Sequence, residues 1–454
     1  MLRYRLAAAA FGFAAAIAMF AVVDQAKAAE VKLEADLGQS VLPASKTSRV
    51  YLRLNLKTLA AAERRKRAPV NVALVLDRSG SMAGERIVAA KKAAEIALAR
   101  LGRDDTVAIV AYNHEVDLLS PSQPLTDKDA LNRKIDALKA DGRTALHAGV
   151  VAGSREVKKN VAETKVNRVI LLSDGLANVG PSTPKELAEL GRELGSKGIS
   201  VSTIGLGLEY NEDLMQRLAG ASDGNHAFAR KPSDLARIFD SEFGDALSIA
   251  AQDIEITIEC KLGFKPIRIL GREAEIKGER IALKLNQLQA DNERYVVVEL
   301  EAPANAGGSA ADIAEVRIDY LDIDTGKRSR GEARVQARFS DKAEEVEQSV
   351  NKPVMVRVTE QVATETNEKA VELRDKGDVA AARKLLEENA LYLRRSKEKL
   401  TSGAGAAPPA AAKALGELET KNLDAAGNLD PDKWATTRKS MRSDQHKSKV
   451  QQTY

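Results

Sequence analysis

The segment Val75-Leu-Asp77-Arg78-Ser79-Gly80-Ser81-Met82 ends an apolar run in an acid and follows it with two hydroxyl residues one position apart. A second acid, Asp174, comes after the run Val169-Ile-Leu-Leu172, and a third hydroxyl, Thr144, lies in Gly142-Arg-Thr-Ala-Leu-His147. Together these are oxygen donors with no imidazole or thiolate among them, a set that suits hard cations such as Mg2+ or Mn2+; Ca2+ ordinarily takes more carboxylates. Each residue also has a plainer reading. Ser81 and Thr144 fit helix N-caps, Asp174-Gly175 fits a turn and Ser79-Gly80 a loop. A nucleophilic role is less well supported: Ser81 lies in Ser-Gly-Ser-Met-Ala rather than a Gly-x-Ser-x-Gly elbow, and no histidine is placed by motif as its base. His147 and His226 have no partners at metal-binding spacing and read as structural.

Such residues need elements that bring them to one place. From Val70 to Leu247 short apolar runs alternate with amphipathic stretches, the pattern of a mostly parallel, doubly wound α/β sheet covered on both faces. Val72–Leu76, Val107–Ala111, Val169–Leu172 and Val201–Ile204 read as strands. Glu85 to Leu101 sets Ile87, Ala90, Ala94, Leu98 and Leu101 on one stripe, and helices are also expected over Asp127 to Ala140 and Pro184 to Ser196. Gly102 and Gly198 stand where left-handed caps would end two of these helices. In such sheets ligands bind beyond the carboxyl ends of the strands. Asp77 and Asp174 would emerge on that edge, with Ser79 and Ser81 in the loop before one helix and Thr144 opening another.

Asp-x-Ser-x-Ser after an apolar strand, the segment Gly142–Gly149 around Thr144, and Leu171-Leu-Ser-Asp174-Gly175 resemble, in order and spacing, the metal-ion-dependent adhesion site of von Willebrand factor type A domains of an exported bacterial type. The resemblance covers about Val70 to Leu247. It implies that Ser79, Ser81 and Thr144 ligate a divalent cation directly while Asp77 and Asp174 act largely through waters. Neutral hydroxyls would leave the inner shell cationic, so an open position would draw a carboxylate from a partner protein. Arg143 departs from the small residues common there in the family. Arg78 and Arg143 read either as solvated loop cations or as guides for an acidic partner. Asn113-His114 either borders the same edge or is a plain loop.

The flanks have another period. Residues 30–68 and 249–340 alternate apolar and polar positions, through Val50 to Leu56, Ile254 to Cys260, Tyr295 to Leu300, Ile313 to Leu321 and Val335 to Phe339. The first flank is too short to make a domain alone, so both are expected to build one antiparallel β-sandwich into which the α/β domain, 69–247, is inserted. The lone Cys260 shares a strand face with three isoleucines and reads as a buried, inert thiol. The basic run Arg64-Arg-Lys-Arg67 reads as a solvated loop. Residues 341–400 have helical periodicity broken at Gly377-Asp378, a C-terminal helical hairpin, and 401–454 read as a linker and flexible tail carrying Trp434 and a basic end near Arg438 to Arg442.

Charge is balanced, 69 basic against 65 acidic residues for a net +4, which gives no support to nucleic-acid binding. Met1 to Ala28, with two early arginines, an apolar run and Ala-Lys-Ala, reads as a cleaved signal peptide, with an uncleaved anchor as its rival; no later stretch is apolar enough to span a bilayer. The expectation is therefore a periplasmic or secreted, non-enzymatic module that captures an acidic group of a partner protein through Mg2+ or Mn2+. The alternatives are a metal-independent scaffold acting through the hairpin and tail and, behind it, a hydrolase.

Overall fold

The computed structural model describes residues 31–58, 67–305, 308, 310–403 and 405–453. The signal peptide expected over 1–28 and residues 64–66 of the basic run lie outside the described residues. The chain opens with β1 (Val31–Leu37), β2 (Val41–Pro43) and β3 (Ser48–Thr58). The alternating region follows: β4 (Val70–Asp77), α1 (Glu85–Arg100), β5 (Thr106–Tyr112), β6 (Val116–Pro124), α2 (Lys128–Asp136), α3 (Leu146–Lys158), β7 (Val166–Ser173), α4 (Pro184–Ser196), β8 (Ile199–Leu206), α5 (Glu212–Ala221), β9 (His226–Ala229) and α6 (Leu235–Leu247). The second flank holds β10 (Ile249–Cys260), β11 (Lys265–Leu270), β12 (Glu275–Lys277), β13 (Arg280–Gln289), β14 (Glu293–Ala302), β15 (Ala311–Asp322) and β16 (Lys327–Ser340). Helices α7 (Ala343–Gln348), α8 (Lys352–Asp375), α9 (Val379–Leu400), α10 (Pro409–Gly427) and α11 (Pro431–Val450) follow, and Gln452–Thr453 pair with β14 as β17.

The α/β region is one sheet in the order β6-β5-β4-β7-β8-β9, parallel except for β6. Every residue of β4 and β7 is buried, because helices cover both faces of a parallel sheet. One face packs Leu74, Leu76, Ile170 and Leu172 against α1 and α6; the other packs Val75, Val110 and Leu171 against α3, α4 and α5. From β4 the order runs out to β5 on one side and β7 on the other, so the carboxyl end of β4 is the point where the sheet changes direction. Helix α3 lies close over that end: a Cβ on Gly153 would stand 2.4 Å from Val75 Cγ2, so only glycine allows the approach.

Strands from both sides of this domain share sheets. β3 of the first flank pairs with β14 of the second, and β2 pairs in parallel with β16. The sheets β1-β3-β14-β11 and β12-β13-β10-β15-β16-β2 enclose one core containing Leu52, Leu54, Ile256, Ile258, Val298 and Phe339. Cys260 is buried beside its isoleucines, and burial pushes its thiol up to about 11.

Five local expectations need correction. Gly198 adopts φ 70° after α4, but Gly102 has no positive φ: α1 ends on an extended Leu101, and the Gly102 N–H instead donates to Asp105 at 2.6 Å. Helix α2 stops at Asp136, short of Ala140, and is capped by Asp127 accepting from Ala130 N at 2.9 Å. Arg67 is exposed but not a free loop cation, since it forks onto the buried Asp105 at 2.8 and 2.5 Å. Thr144 does not open α3; that helix begins at Leu146 with Ala145 as its cap. The largest departure is the region expected as linker and tail, which forms α10 and α11. They fold because α10 packs along α9, and α11 lies between α8 and the α/β domain at α5 and β9. The buried residues of α11 are Lys439, Met441, Ser443, Gln445 and His446, an almost wholly polar set that carries no apolar stripe.

Candidate metal site

The carboxyl edge of the sheet assembles the residues singled out above. Asp77 ends β4 fully buried; its Oδ1 accepts the Ser79 N–H at 2.8 Å, and its Oδ2 accepts the Ser173 hydroxyl at 2.6 Å and the Tyr112 hydroxyl at 3.3 Å. Burial pushes this carboxyl up to about 6 against the opposing bonds from Ser173 and Ser79, and Asp174 adds a like charge. The chain turns away through a 3-10 turn at Gly80–Met82 anchored by the buried Met82. Ser79 Oγ lies 3.1 Å from Ser81 Oγ, and the Ser81 hydroxyl donates to Asp174 Oδ1 at 2.7 Å. Neither serine side chain caps a helix, so the plainer reading of Ser81 does not hold.

Thr144 reaches the same place on a separate loop. Gly80 N donates to Gly142 O at 2.9 Å and Asp141 N to Arg78 O at 2.9 Å, lashing the two loops together by their backbones. Asn113 holds the same loop: its O accepts Ala145 N at 2.6 Å, and its Nδ2 donates to Asp141 Oδ1 at 2.7 Å. From the other side, Asn178 Oδ1 accepts Thr144 N at 2.9 Å. Thr144 itself is buried.

The convergence is measured at Gly175. A Cβ placed there would lie 3.2 Å from Ser81 Oγ, 3.3 Å from Thr144 Oγ1 and 3.9 Å from Ser79 Oγ. The absent side chain thus marks a small space faced by three hydroxyl oxygens, with Asp77 and Asp174 buried beside it. A donor set of three neutral oxygens and two carboxylates fits a small hard cation. Among the described residues no cluster of three or more His, Cys, Asp or Glu side chains offers a metal a different home.

Other candidates sit elsewhere. Arg78 is held by Asp117 of β6 at 2.6 Å and Asp141 at 2.5 Å, so its charge is met within the chain. Arg143 is exposed, as is His114. His226 is buried against Thr203 Oγ1 at 2.9 Å and takes a structural place in the core, while burial keeps His147 below its ordinary value. The sequence reading missed Ser173 and Tyr112, which fix Asp77, and Arg86, whose Nη1 donates to Asp174 Oδ2 at 2.5 Å. Ser173 was legible as the neighbour of Asp174. A cation in the first turn of α1, where the helix dipole opposes it, was the available sign for Arg86.

The chain is 27% identical over 291 residues to the uncharacterized protein sll0103 of Synechocystis, covering 62% of this chain and 68% of that one. It is 29% identical over 224 residues to the uncharacterized protein YfbK of Escherichia coli K12, covering 49% of this chain but only 38% of YfbK. A solved von Willebrand factor type A protein from Catenulispora acidiphila superposes with a TM-score of 0.69 at 16% identity, covering 87% of this chain and 97% of that one. At that identity the likeness concerns the fold alone. Its extent takes in the flanks as well as the inserted domain. Residues 71–241 match the von Willebrand factor type A domain model, and that segment has the type A α/β fold.

Proposed function

We propose that this chain is an exported protein-binding module that takes up an acidic group of a partner protein at a divalent-cation site formed by Asp77, Ser79, Ser81, Thr144 and Asp174. The observation that carries the reading is the space beside Gly175, faced by three hydroxyl oxygens 3.2 to 3.9 Å from where a Cβ would stand. When bound, Mg2+ or Mn2+ supplies a positive centre with an open position for a carboxylate oxygen. The three hydroxyls contribute oxygens without charge, so they hold the ion and leave it attractive to an anion. Asp77 and Asp174 carry the negative charge from buried positions fixed by hydrogen bonds.

The role is recognition and not catalysis. The Ser81 hydroxyl is committed to Asp174, and among the described residues no histidine hydrogen-bonds to it. Export rests on the pattern of Met1 to Ala28. No helix of the described residues is long and apolar enough to cross a membrane. Calorimetric titration of the purified chain with Mg2+ is expected to show binding that Asp77→Ala abolishes; equal affinity in both proteins would defeat the assignment. Pull-down from an envelope extract, with and without chelator, then identifies the partner.

A metal-independent scaffold is favoured by one observation, a cavity of about 400 Å³ between α8, α10 and α11. Part of its polar wall is already paired: Asn367 donates to Asn422 at 3.1 Å, and Gln445 donates to Asn367 at 2.6 Å. Capture that survives Asp174→Ala but is lost on deleting 401–454 would select this reading.

A further inference from the structure

Arg86 occupies a place its helix does not favour. Helix α1 starts at Glu85 after Gly84, whose φ is 74°, and no side chain caps it. The free N–H groups of that first turn carry partial positive charge, so an arginine there is disfavoured unless an anion answers it. Asp174 answers it. Arg86 Nη1 lies 2.5 Å from Asp174 Oδ2 and 3.3 Å from Ser81 O, while Asp174 Oδ1 is taken by the Ser81 hydroxyl. Both oxygens of the carboxylate are thus engaged from within the chain.

A second carboxylate stands on the outer side of the same guanidinium. Glu209 Oε2, on the loop leaving β8, is 3.8 Å from Arg86 Nη1. Asp174 is fully buried and the Glu209 side chain is 71% exposed, so Arg86, at 32%, bridges the interior of the site and its rim. A guanidinium and a divalent ion cannot both stand against Asp174 without strong repulsion, because like charges a few ångströms apart in a partly buried site are weakly screened.

We infer that Arg86 is a built-in rival of the divalent cation: it neutralises Asp174 in the cation-free protein and passes to Glu209 when the cation binds. This rests on the cation reading of the site. Arg86 then sets how much cation is needed to switch the module into its binding state, and Glu209 sets how readily Arg86 leaves. Cation affinity reports a difference between two occupied states, since an ion arriving at Asp174 displaces a bond instead of filling an unmet need.

The test is Mg2+ titration calorimetry on the full chain and on R86Q, E209Q, the double variant R86Q/E209Q and D77A, each checked for folding by circular dichroism. R86Q is expected to bind Mg2+ about tenfold more tightly, the size of one lost charge-assisted bond. E209Q is expected to bind several-fold more weakly, and in the double variant that penalty shrinks to within about twofold, because Glu209 acts through Arg86. Unchanged or weaker binding by folded R86Q overturns the inference, as does an E209Q penalty that persists without Arg86, which would mark simple attraction of the ion. If R86Q does not fold, R86M serves, since it keeps the apolar stem and removes the single Nη1 contact with its charge, and should also tighten binding; no gain in folded R86M overturns the inference. Absence of Mg2+ binding in both wild type and R86Q, or D77A binding like wild type, removes the cation reading itself, an outcome distinct from failure of Arg86 alone.

Discussion

Arg294 on β14 forks onto both oxygens of Asp223, at 2.8 and 2.7 Å, across the boundary between the sandwich and the type A domain. Arg272 adds a third contact at 3.2 Å, and Asn286 N donates to the same carboxylate at 2.8 Å. Burial alone would raise the Asp223 carboxyl, but the two guanidiniums overcome it and hold it well below the usual carboxylate range. Asp223→Asn leaves two arginines facing each other in a buried place and is expected to cost about 3 to 5 kcal/mol of stability. Urea denaturation measures it, and a cost under about 1 kcal/mol would show that water enters to solvate the arginines.

Gly175→Ala would put a methyl group into the space that the three hydroxyls face. The contacts at 3.2 and 3.3 Å are tight but can relax by a few tenths of an ångström, so the fold should survive with its melting temperature nearly unchanged. Cation binding should weaken by about tenfold or more, because a hydroxyl displaced from the ion loses its oxygen contact outright. Calorimetry and thermal melting of the same sample separate the two effects.

Acid should loosen the last helix. His446 on α11 is buried against Gly224 O at 3.2 Å and stands edge-on to His226 at 5.9 Å. Burial pushes His446 down to about 4 and holds His226 well below its ordinary value. Below the ordinary histidine value of about 6.5 the unfolded chain takes a proton that the folded chain refuses, so stability is full above that pH and declines toward pH 4. Comparing urea stability at pH 7 and pH 4.5 in wild type and His446→Gln isolates the contribution, expected at about 2 to 3 kcal/mol. Equal pH dependence in both proteins would assign the loss to other groups.

Lys439 buries its ammonium against Glu212 and Tyr210 O, over the Tyr210 ring at 4.2 Å from its centroid. Lys439→Met keeps the apolar stem and removes the charge. Glu212 retains Arg438, so the expected cost is about 1 to 3 kcal/mol. Limited proteolysis should then cut within or before α11 faster than in wild type.

The apolar run that ends in Asp77, the stripe of α1 and the alternation of the flanking strands could all be read directly, because each buries carbon against carbon and so writes its period into the sequence. Helix α11 could not. Beside Met441 its buried face is Lys439, Ser443, Gln445 and His446, and the partners of Lys439, Gln445 and His446, namely Glu212, Asn367 and Gly224, come from distant parts of the chain. The site divided in the same way. Asp77, Ser79, Ser81 and Asp174 follow strand ends, while Arg86 becomes part of the site only because the loop geometry sets its side chain against Asp174.

An inserted domain is ordinarily held by its two chain crossings alone, and here it has further attachments. Asp223 is shared with β14, Glu212 with α11, and the buried Arg168 of β7 with Gln287 of β13. Each part that came loose would strand a charged or polar group in another, so domain, sandwich and helices should melt as one cooperative unit, with calorimetric and van 't Hoff enthalpies in agreement. A ligand gripped at the edge of one sheet would then raise the melting point of helices that it never touches.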